Sequence, residues 1–419
     1  MTKVNEVFVA GGQPTVTYIA RAHLKLTNAV SDYLNTLYKI LSISGTTKSG
    51  KTVLVRSIAS PENAIWLSGG NIDSIGSFWE SIVEHLNAFS QTTETQSDTR
   101  SGTSSDEIDL AIKPAGMGLG KKLADGKSWA NTDSTTRGRN VSAAVSGLRA
   151  LMASKIPLVI DDFHYIDQAT QGQIIKALKQ PVFDGLPVIL ISVPHRAFDA
   201  VRVEREMTGR VQQLEVPIWS PTDLREIASA GFKALGISAS DELTNRLTSE
   251  CFQSPHLMQD FCGALCRENG LTISQSTPIS LKPPASWEEF FKKQASGTAK
   301  TAFDQLKIGP RQRTDRIERK LRSGGTCDIY KAILLAIAQT GPKQTLSYEE
   351  IRTALKDILD GAPPQANEVT RVLDQMSTIA RKDRSGEPVV DWDSQFSKLH
   401  VSDPFFAYYL KWGAQSQAD

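Results

Sequence analysis

Residues 45–52 read Gly-Thr-Thr-Lys-Ser-Gly-Lys-Thr and stand between the short apolar run KILSIS (39–44) and TVLVRSIA (52–59). The run before the loop has the length and composition of a buried strand, and the run after it continues as a helix. A glycine-bearing loop between strand and helix presents consecutive backbone N–H groups and the positive end of a helix dipole, an arrangement that receives phosphate oxygens. Gly45 and Gly50 serve there through their backbone, because bulkier side chains would block the approach. Thr46, Thr47, Lys48 and Ser49 complete the cradle. Lys51 is expected to reach the β- and γ-phosphates, and the Thr52 hydroxyl to ligate magnesium. This is a Walker A pattern in the strand-loop-helix setting that gives it meaning.

A second constellation follows at IPLVIDDFHYID (156–167), an apolar strand that ends in Asp161 and Asp162. One carboxylate at such a strand end can hold the magnesium shell and the next can orient an attacking water. Asp161 is the metal-side choice and Asp162 the base, with solvation of a strand end as the bland alternative. His164 has no partner in sequence and reads as a packed histidine.

Working outward, AHLKLTNAVSDYLNTLY (22–38) spaces Leu24, Val30, Leu34 and Leu37 as one helical face. NAIWLS (63–68) reads as a strand, and SIGSFWESIVEHLNAF (74–89) repeats Ile75, Phe78, Ile82 and Leu86 as a helix. VSAAVSGLRALMAS gives a further helix and PVILISVP (187–194) a further strand. Strands alternating with helices predict a parallel sheet, hence an α/β P-loop NTPase fold of three α/β/α layers. From about 90 to 140 the chain turns polar and glycine-bearing, which predicts an insertion with little apolar surface to bury. The expected domains are 1–220 for the nucleotide-binding unit, 221–271 for a helical lid, 272–326 for a basic linker or arm, and 327–419 for a winged-helix domain. SPTDLREIASAGFKAL, ASDELTNRLTSECF and HLMQDFCGALCREN predict a compact helical unit, which the resemblance given below makes a lid. The winged helix follows from three helices, the alternating PVVDWDSQFSKLHV and the aromatic tail FFAYYLKW.

Among 419 residues, 47 Lys+Arg nearly cancel 46 Asp+Glu, so no global field marks a nucleic-acid binder and any such role must be local. Four cysteines are too few for a disulfide scaffold, which predicts a reducing, cytoplasmic setting. The start MTKVNEVFVAGG lacks a signal-peptide core, and LPVILIS (186–192) is far short of the roughly 20 residues that cross a bilayer, so no membrane association is expected. Cys262 and Cys266 lie one turn apart on an apolar helix face without a matching second pair, and are read as core rather than zinc ligands.

GTTKSGKT, VIDDFHYID, TYIARAHLKLTNAV ahead of the first strand, the helical lid and the ending LHVSDPFFAYYLKW together resemble AAA+ and STAND P-loop ATPases. The likeness is to the branch of origin-recognition, transposition-regulator and prokaryotic signalling ATPases. The resemblance implies ATP and Mg2+ as cofactors and a homo-oligomer. It places Thr17, Tyr18 and Arg21 against the adenine, with a surface loop as the alternative. Ser192 falls at the sensor-one position, where many members carry Asn. Arg210 falls where this branch carries an arginine that reaches a neighbouring subunit's nucleotide, with Arg196, Arg202 and Arg205 as competitors. Pro255 and His256 fall at the lid's sensor-two element, although the arginine common there is missing.

Lys307 to Arg322 holds seven basic residues against two acids and could contact a phosphate backbone, or be a solvated helix. Arg371, Arg381, Lys382 and Arg384, on the third helix of the C-terminal unit and just beyond it, could approach duplex DNA, whereas winged helices also bind proteins. Phe405, Phe406, Tyr408, Tyr409 and Trp412 are read as core. Two functions follow: an ATP-driven oligomeric switch in prokaryotic defence or signalling, or a DNA-binding ATPase of the origin-loader or transposition-regulator type. A metabolic kinase would leave the lid and C-terminal unit unused. No Asn/Thr-Lys-x-Asp guanine-reading motif follows the acid pair, so ATP is preferred to GTP.

Overall fold

The computed structural model describes residues 1–88, 91–98, 131–138, 142–193, 209–295, 298–310, 317–382 and 388–414. Five parallel strands form the central sheet: β1 (Ile40–Ser44), β2 (Ile65–Ser68), β3 (Leu158–Asp161), β4 (Val188–Ser192) and β5 (Val211–Glu215), in the order β2-β3-β4-β1-β5. Every residue of β1 and β4 is buried, which requires cover on both faces and explains why these strands read as unbroken apolar runs. β5 is an edge strand of sequence VQQLE, half-exposed, and its glutamines hide it from a hydrophobic pattern.

On one face, helix α1 (Leu26–Thr36) and helix α2 (Lys51–Arg56) pack Leu26, Val30, Tyr33, Leu54 and Val55 against Leu41, Ile43, Val159, Ile189 and Ile191 of the sheet. The helix is shorter than the 22–38 expected. Leu24 lies in a separate 3-10 turn, Ala22–Leu24, and Leu37 takes a positive φ of 53°, so neither continues the helical face. The buried row is therefore Leu26, Val30 and Tyr33.

Residues Gly76–Ser154 form a compact unit of their own. Helix α3 (Ile75–His85) buries Phe78, Trp79, Ile82 and Val83, and helix α4 (Ala143–Ser154) brings Gly147 within 3.1 Å, measured from an added Cβ, of the Trp79 ring. Gln91–Asp98 and Asn131–Gly138 pair as antiparallel strands, in a stretch whose polarity predicted none. Residues 99–130 lie outside the described residues.

Helix α5 (Gln168–Phe183) begins at Asp167, whose carboxylate accepts from the N–H groups of Ala169 and Thr170 at 3.0 Å. It buries Ile174, Ile175, Leu178 and Val182, but Gln171 and Pro181 are buried with them, which blurs its apolar periodicity.

Helices α6 (Pro221–Ala234), α7 (Asp241–Glu250) and α8 (Pro255–Glu268) match the helical stretch expected from 221 onward. Ser220 and Asp223 close a reciprocal capping box on α6, and Ser254 caps α8. The stretch 272–326, expected as a linker or arm, differs. It contains helix α9 (Trp287–Gln294) and helix α10 (Thr298–Ile308), whose Phe290, Phe291, Phe303 and Leu306 are buried in the same core as α6–α8. Prolines, glycines and basic residues dominate the composition there and mask two short aromatic anchors.

The C-terminal residues add helices α11 (Ile329–Gln339), α12 (Tyr348–Ile358) and α13 (Ala366–Lys382). Strands β6 (Thr345–Ser347), β7 (Val390–Asp393) and β8 (Lys398–Val401) form an antiparallel sheet ordered β6-β8-β7. Helix α14 (Pro404–Trp412) follows, with Phe406, Tyr408 and Tyr409 buried in the core. Glu250, itself buried, accepts from Lys411 Nζ at 2.7 Å and Trp412 Nε1 at 2.9 Å, pinning α14 to α7. Cys251, Cys262, Cys266 and Cys327 are all free and buried. Among the described residues no helix is long and apolar enough to cross a membrane.

Candidate functional site

β1 delivers the chain to Gly45 at the carboxyl end of the sheet. A Cβ on Gly45 would stand 2.8 Å from the Val216 carbonyl oxygen, and Gly50 sits at φ 92°, a conformation costly for side-chain-bearing residues. Both positions thus require glycine for reasons of the chain's own backbone. Lys51 is buried at the start of α2, and its ammonium donates to the carbonyls of Gly45 (2.7 Å) and Thr46 (2.9 Å). The loop is therefore wrapped around its own lysine. Ser49 lines the cavity beside the loop, and its Oγ is buried and has no hydrogen-bond partner among the described residues.

The two motifs meet. Thr52 Oγ1 donates to Asp161 Oδ2 at 2.9 Å, and Asp161 Oδ1 accepts from the Asp162 N–H at 3.0 Å. Burial holds the Asp161 carboxyl above its ordinary value despite those donors and the nearby Lys51 and Arg56 charges. Asp162 adopts the left-handed conformation at φ 54°, and burial, reinforced by the Asp161 charge, pushes its carboxyl up to about 6. A carboxyl pushed up in this way, as Asp162 is, is suited to holding or accepting a proton near neutrality. Ser192 ends β4 in register with Ser44, and its buried hydroxyl also lacks a hydrogen-bond partner among the described residues.

A cavity of about 340 Å³ opens on the loop and is bounded by Val9 to Arg21, the loop and α2, Asp162, Trp219 and the start of α8. Thr17, Tyr18 and Arg21 all line it, as do Pro255 and His256. Their polar groups are engaged in holding the walls. The Thr17 hydroxyl lies 2.9 Å from both the Val7 carbonyl and Gln259 Oε1. Tyr18 Oη sits 3.1 Å from Ser57 Oγ. Arg21 is buried, donates to the Pro217 carbonyl at 2.7 Å and lies 4.4 Å over the Trp219 ring, while burial lowers its pKa. These residues shape a pocket; what they leave for a ligand is backbone and apolar surface.

His256 stands 3.5 Å from Asp260 and edge-on to Phe405, and Gly11 packs on its ring. Burial, with the Lys48 charge, depresses it to about 4, so it is neutral at physiological pH. Arg210 lies at the amino end of the sheet, opposite the loop, just ahead of the strand that neighbours β1. Its carbonyl accepts from Ile40 N–H at 2.9 Å, at the amino end of β1, and five residues of strand put it roughly 16 Å from its own phosphate loop. Its guanidinium sits 5.8 Å from the ring of the exposed Phe183. Arg196, Arg202 and Arg205 lie outside the described residues, as do Arg311, Arg313, Arg316 and Arg384. Of the basic run, Arg319 pairs with Glu368 at 3.3 Å and Arg322 donates to the Leu359 carbonyl at 3.0 Å, so both hold the C-terminal fold together. Arg381 pairs with Asp391, while Arg371 and Lys382 are exposed on α13.

No protein-family model matches the chain, and no curated protein matches it. Among solved structures, the Walker-type ATPase of Pyrococcus abyssi is similar over 94% of this chain and 99% of its own, at 12% identity and a TM-score of 0.53. The fold is that of a P-loop ATPase. Two further structures cover nearly all of both chains at TM-scores under one half. Cdc6p from Pyrobaculum aerophilum covers 100% of each chain at 11% identity and TM-score 0.43, and the Aeropyrum pernix ORC2 protein covers 97% and 96% at 11% and 0.45.

Within this P-loop ATPase fold, four contributors escape sequence reasoning. Trp219 donates its indole N–H to the Ser49 carbonyl at 2.8 Å and so braces the loop from 170 residues away. Gly69 follows β2, and an added Cβ would lie 2.2 Å from the Asp162 carbonyl oxygen, so only glycine lets this turn lie against the acid pair. The Gly69-Gly70 pair after a strand was the available signal. Gln259 accepts from Val9 N–H at 2.8 Å, tying the N-terminal segment to α8. Asp403 reaches the loop itself, with both carboxylate oxygens 3.1 Å from Lys48 Nζ.

Proposed function

We propose that the chain is an ATP-binding and hydrolysing oligomeric switch. The observation that carries this is the meeting of Thr52 and Asp161 at 2.9 Å beside the lysine-bearing loop, with Thr52 lining a cavity of about 340 Å³. A hydroxyl and a carboxylate oxygen are hard donors of the kind Mg2+ takes, and the buried, unsatisfied Ser49 hydroxyl together with the two glycines suits a phosphate cradle. The residues fit both groups. Thr52 and Asp161 would hold magnesium, which would neutralise phosphate charge. Lys51 would exchange the Gly45 and Thr46 carbonyls for phosphate oxygens. Asp162, ionised above about pH 6, would orient and deprotonate the attacking water. The backbone and apolar lining from Val9 to Arg21 would receive the adenine, and Ser192 would contact the terminal phosphate.

Arg210 would act in trans. Its place at the amino end of the sheet, roughly 16 Å of strand from its own loop, removes it from its own site and leaves it available to a neighbouring copy. We assign the domains as a nucleotide unit, the helical lid α6–α8, and a winged-helix unit from 327 onward. The last assignment is supported by α11, β6, α12, α13 and the β7–β8 hairpin in that order. Defence or signalling in a prokaryotic cytoplasm is the role we favour. Duplex DNA binding is the second reading, favoured by the exposed Arg371 and Lys382 and weakened by the internal pairing of Arg319, Arg322 and Arg381.

Titration with a fluorescent ATP analogue tests the central claim. Lys51→Ala should weaken binding at least about a hundredfold, the scale of losing a buried charge-assisted phosphate contact. Unchanged affinity in the variant would remove the loop as the site.

A further inference from the structure

Lys48, in the middle of the phosphate loop, and Asp403, the residue that caps α14, are 355 positions apart in sequence and form a bidentate ion pair, 3.1 Å to each oxygen. Lys48 Nζ also lies 3.8 Å from the centre of the Phe405 ring. Lys48 holds a left-handed φ of 59°, a strained setting for lysine, with its ammonium turned to the C-terminal residues. Asp403 Oδ1 simultaneously accepts from the Phe405 N–H at 2.7 Å, so the same carboxylate starts the helix and grips the loop. Thr46 and Thr47 face Ser402, Pro404 and Ala407 across a narrow crevice alongside this pair. The far end of α14 is fixed independently by Glu250 through Lys411 and Trp412, and in its middle the Tyr408 hydroxyl donates to the Phe291 carbonyl at 2.6 Å. The amino end of α14 is therefore the part joined to the loop by an ionic contact, while the rest is anchored in the core.

The groups around Lys48 are Asp403, the Phe405 ring, His256 and the Asp260 carboxyl beside that imidazole. Asp403 is the anion in hydrogen-bond contact with this ammonium. A triphosphate in the loop would bring a stronger anion to the same lysine. The pair is part-exposed, 32% for Lys48 and 21% for Asp403, which places its strength within reach of such a competitor.

We propose that Lys48 is shared between Asp403 and the terminal phosphate of a nucleoside triphosphate, so that Asp403 communicates the occupancy of the loop to α14 and the C-terminal sheet. The proposal rests on the loop being a triphosphate site. Linkage makes the effect reciprocal: whatever factor the bridge takes from triphosphate affinity, the triphosphate takes from the bridge. A diphosphate, lacking the terminal group, competes less and leaves the bridge closed.

The test uses the full chain, Asp403→Asn and Lys48→Asn. Asparagine still caps α14 through its side-chain oxygen and tolerates the left-handed backbone of position 48, so both changes remove charge with little strain. Asp403→Asn should bind a non-hydrolysable ATP analogue about three- to tenfold tighter than the native chain, with ADP affinity changed less. In hydrogen exchange, the analogue should accelerate amides of residues 403–407 in the native chain, ADP should not, and both variants should exchange fast there without nucleotide. Equal analogue affinity in native chain and Asp403→Asn, or slow exchange at 403–407 in Lys48→Asn, would overturn the shared-lysine proposal while leaving nucleotide binding intact. A native chain that binds no analogue at all would instead overturn the triphosphate reading, and the proposal with it.

Discussion

Replacing Asp162 by asparagine should make the protein more stable while stopping hydrolysis, and the gain should depend on pH in a calculable way. Burial and the Asp161 charge raise this carboxyl from 3.8 to about 6, which favours its neutral form in the folded state. Below about pH 4 the group is protonated whether folded or not, and costs nothing. Between about pH 4 and 6 the unfolded chain ionises first, so stability falls as pH rises, and above about 6 the full penalty is present. At 1.36 kcal/mol per pH unit the full penalty is about 3 kcal/mol, which solvent screening of a part-buried group reduces to about 1–2 kcal/mol. Asparagine removes it, and relieves Asp161 of a like charge. The same arithmetic leaves about half of the penalty at pH 5. Asparagine also suits the left-handed backbone at φ 54°, but that benefit is the same at every pH. Thermal unfolding should therefore show Asp162→Asn about 1–2 °C above the native chain at about pH 8, and about half that at pH 5. A difference that does not change between those pH values would refute the electrostatic argument, as would a variant less stable than the native chain.

Two further expectations concern neighbours of the acid pair. Gly69→Ala should lower stability by about 1–3 kcal/mol, because its Cβ would stand 2.2 Å from the Asp162 carbonyl and must displace backbone; an unchanged melting temperature would show that the turn yields freely. Mixing Arg210→Ala with Asp162→Asn should restore part of the ATP turnover that each lacks alone, since mixed assemblies contain interfaces with one intact arginine and one intact base. Turnover no higher than the sum of the separate variants would count against a role in trans.

The phosphate loop and the acid-ended strand were legible because each joins an apolar run to a short motif whose chemistry leaves few choices. Alternating strands and helices then implied the parallel sheet, and β1 to β4 carried that signal clearly. β5 did not, because an edge strand can afford Gln212, Gln213 and Glu215 where a central one cannot. α5 went unmarked because Gln171 is buried by hydrogen bonds to the Phe163 and Ile166 carbonyls, a tertiary fact that no hydrophobic period contains. α9 and α10 were obscured by surrounding prolines and charges, although two phenylalanine anchors hold α9 and one holds α10. In the site, motif residues could be named but their supports could not. Trp219 and Asp403 reach Ser49 and Lys48 from 170 and 355 residues away, a separation at which sequence spacing carries no information about contact.

The four cysteines give the molecule a built-in chemical clock. The thiolate is the reacting form, and burial raises all four thiols, Cys266 to about 12, so a thiol reagent meets almost no reactive sulfur while the native packing persists. Modification must wait for opening. Three of the sulfurs belong to α8 or follow α7, and Cys327 sits beside the start of α11, so the order in which they become labelled would time the loosening of the α6–α8 region separately from that of the C-terminal residues, without introducing any foreign probe.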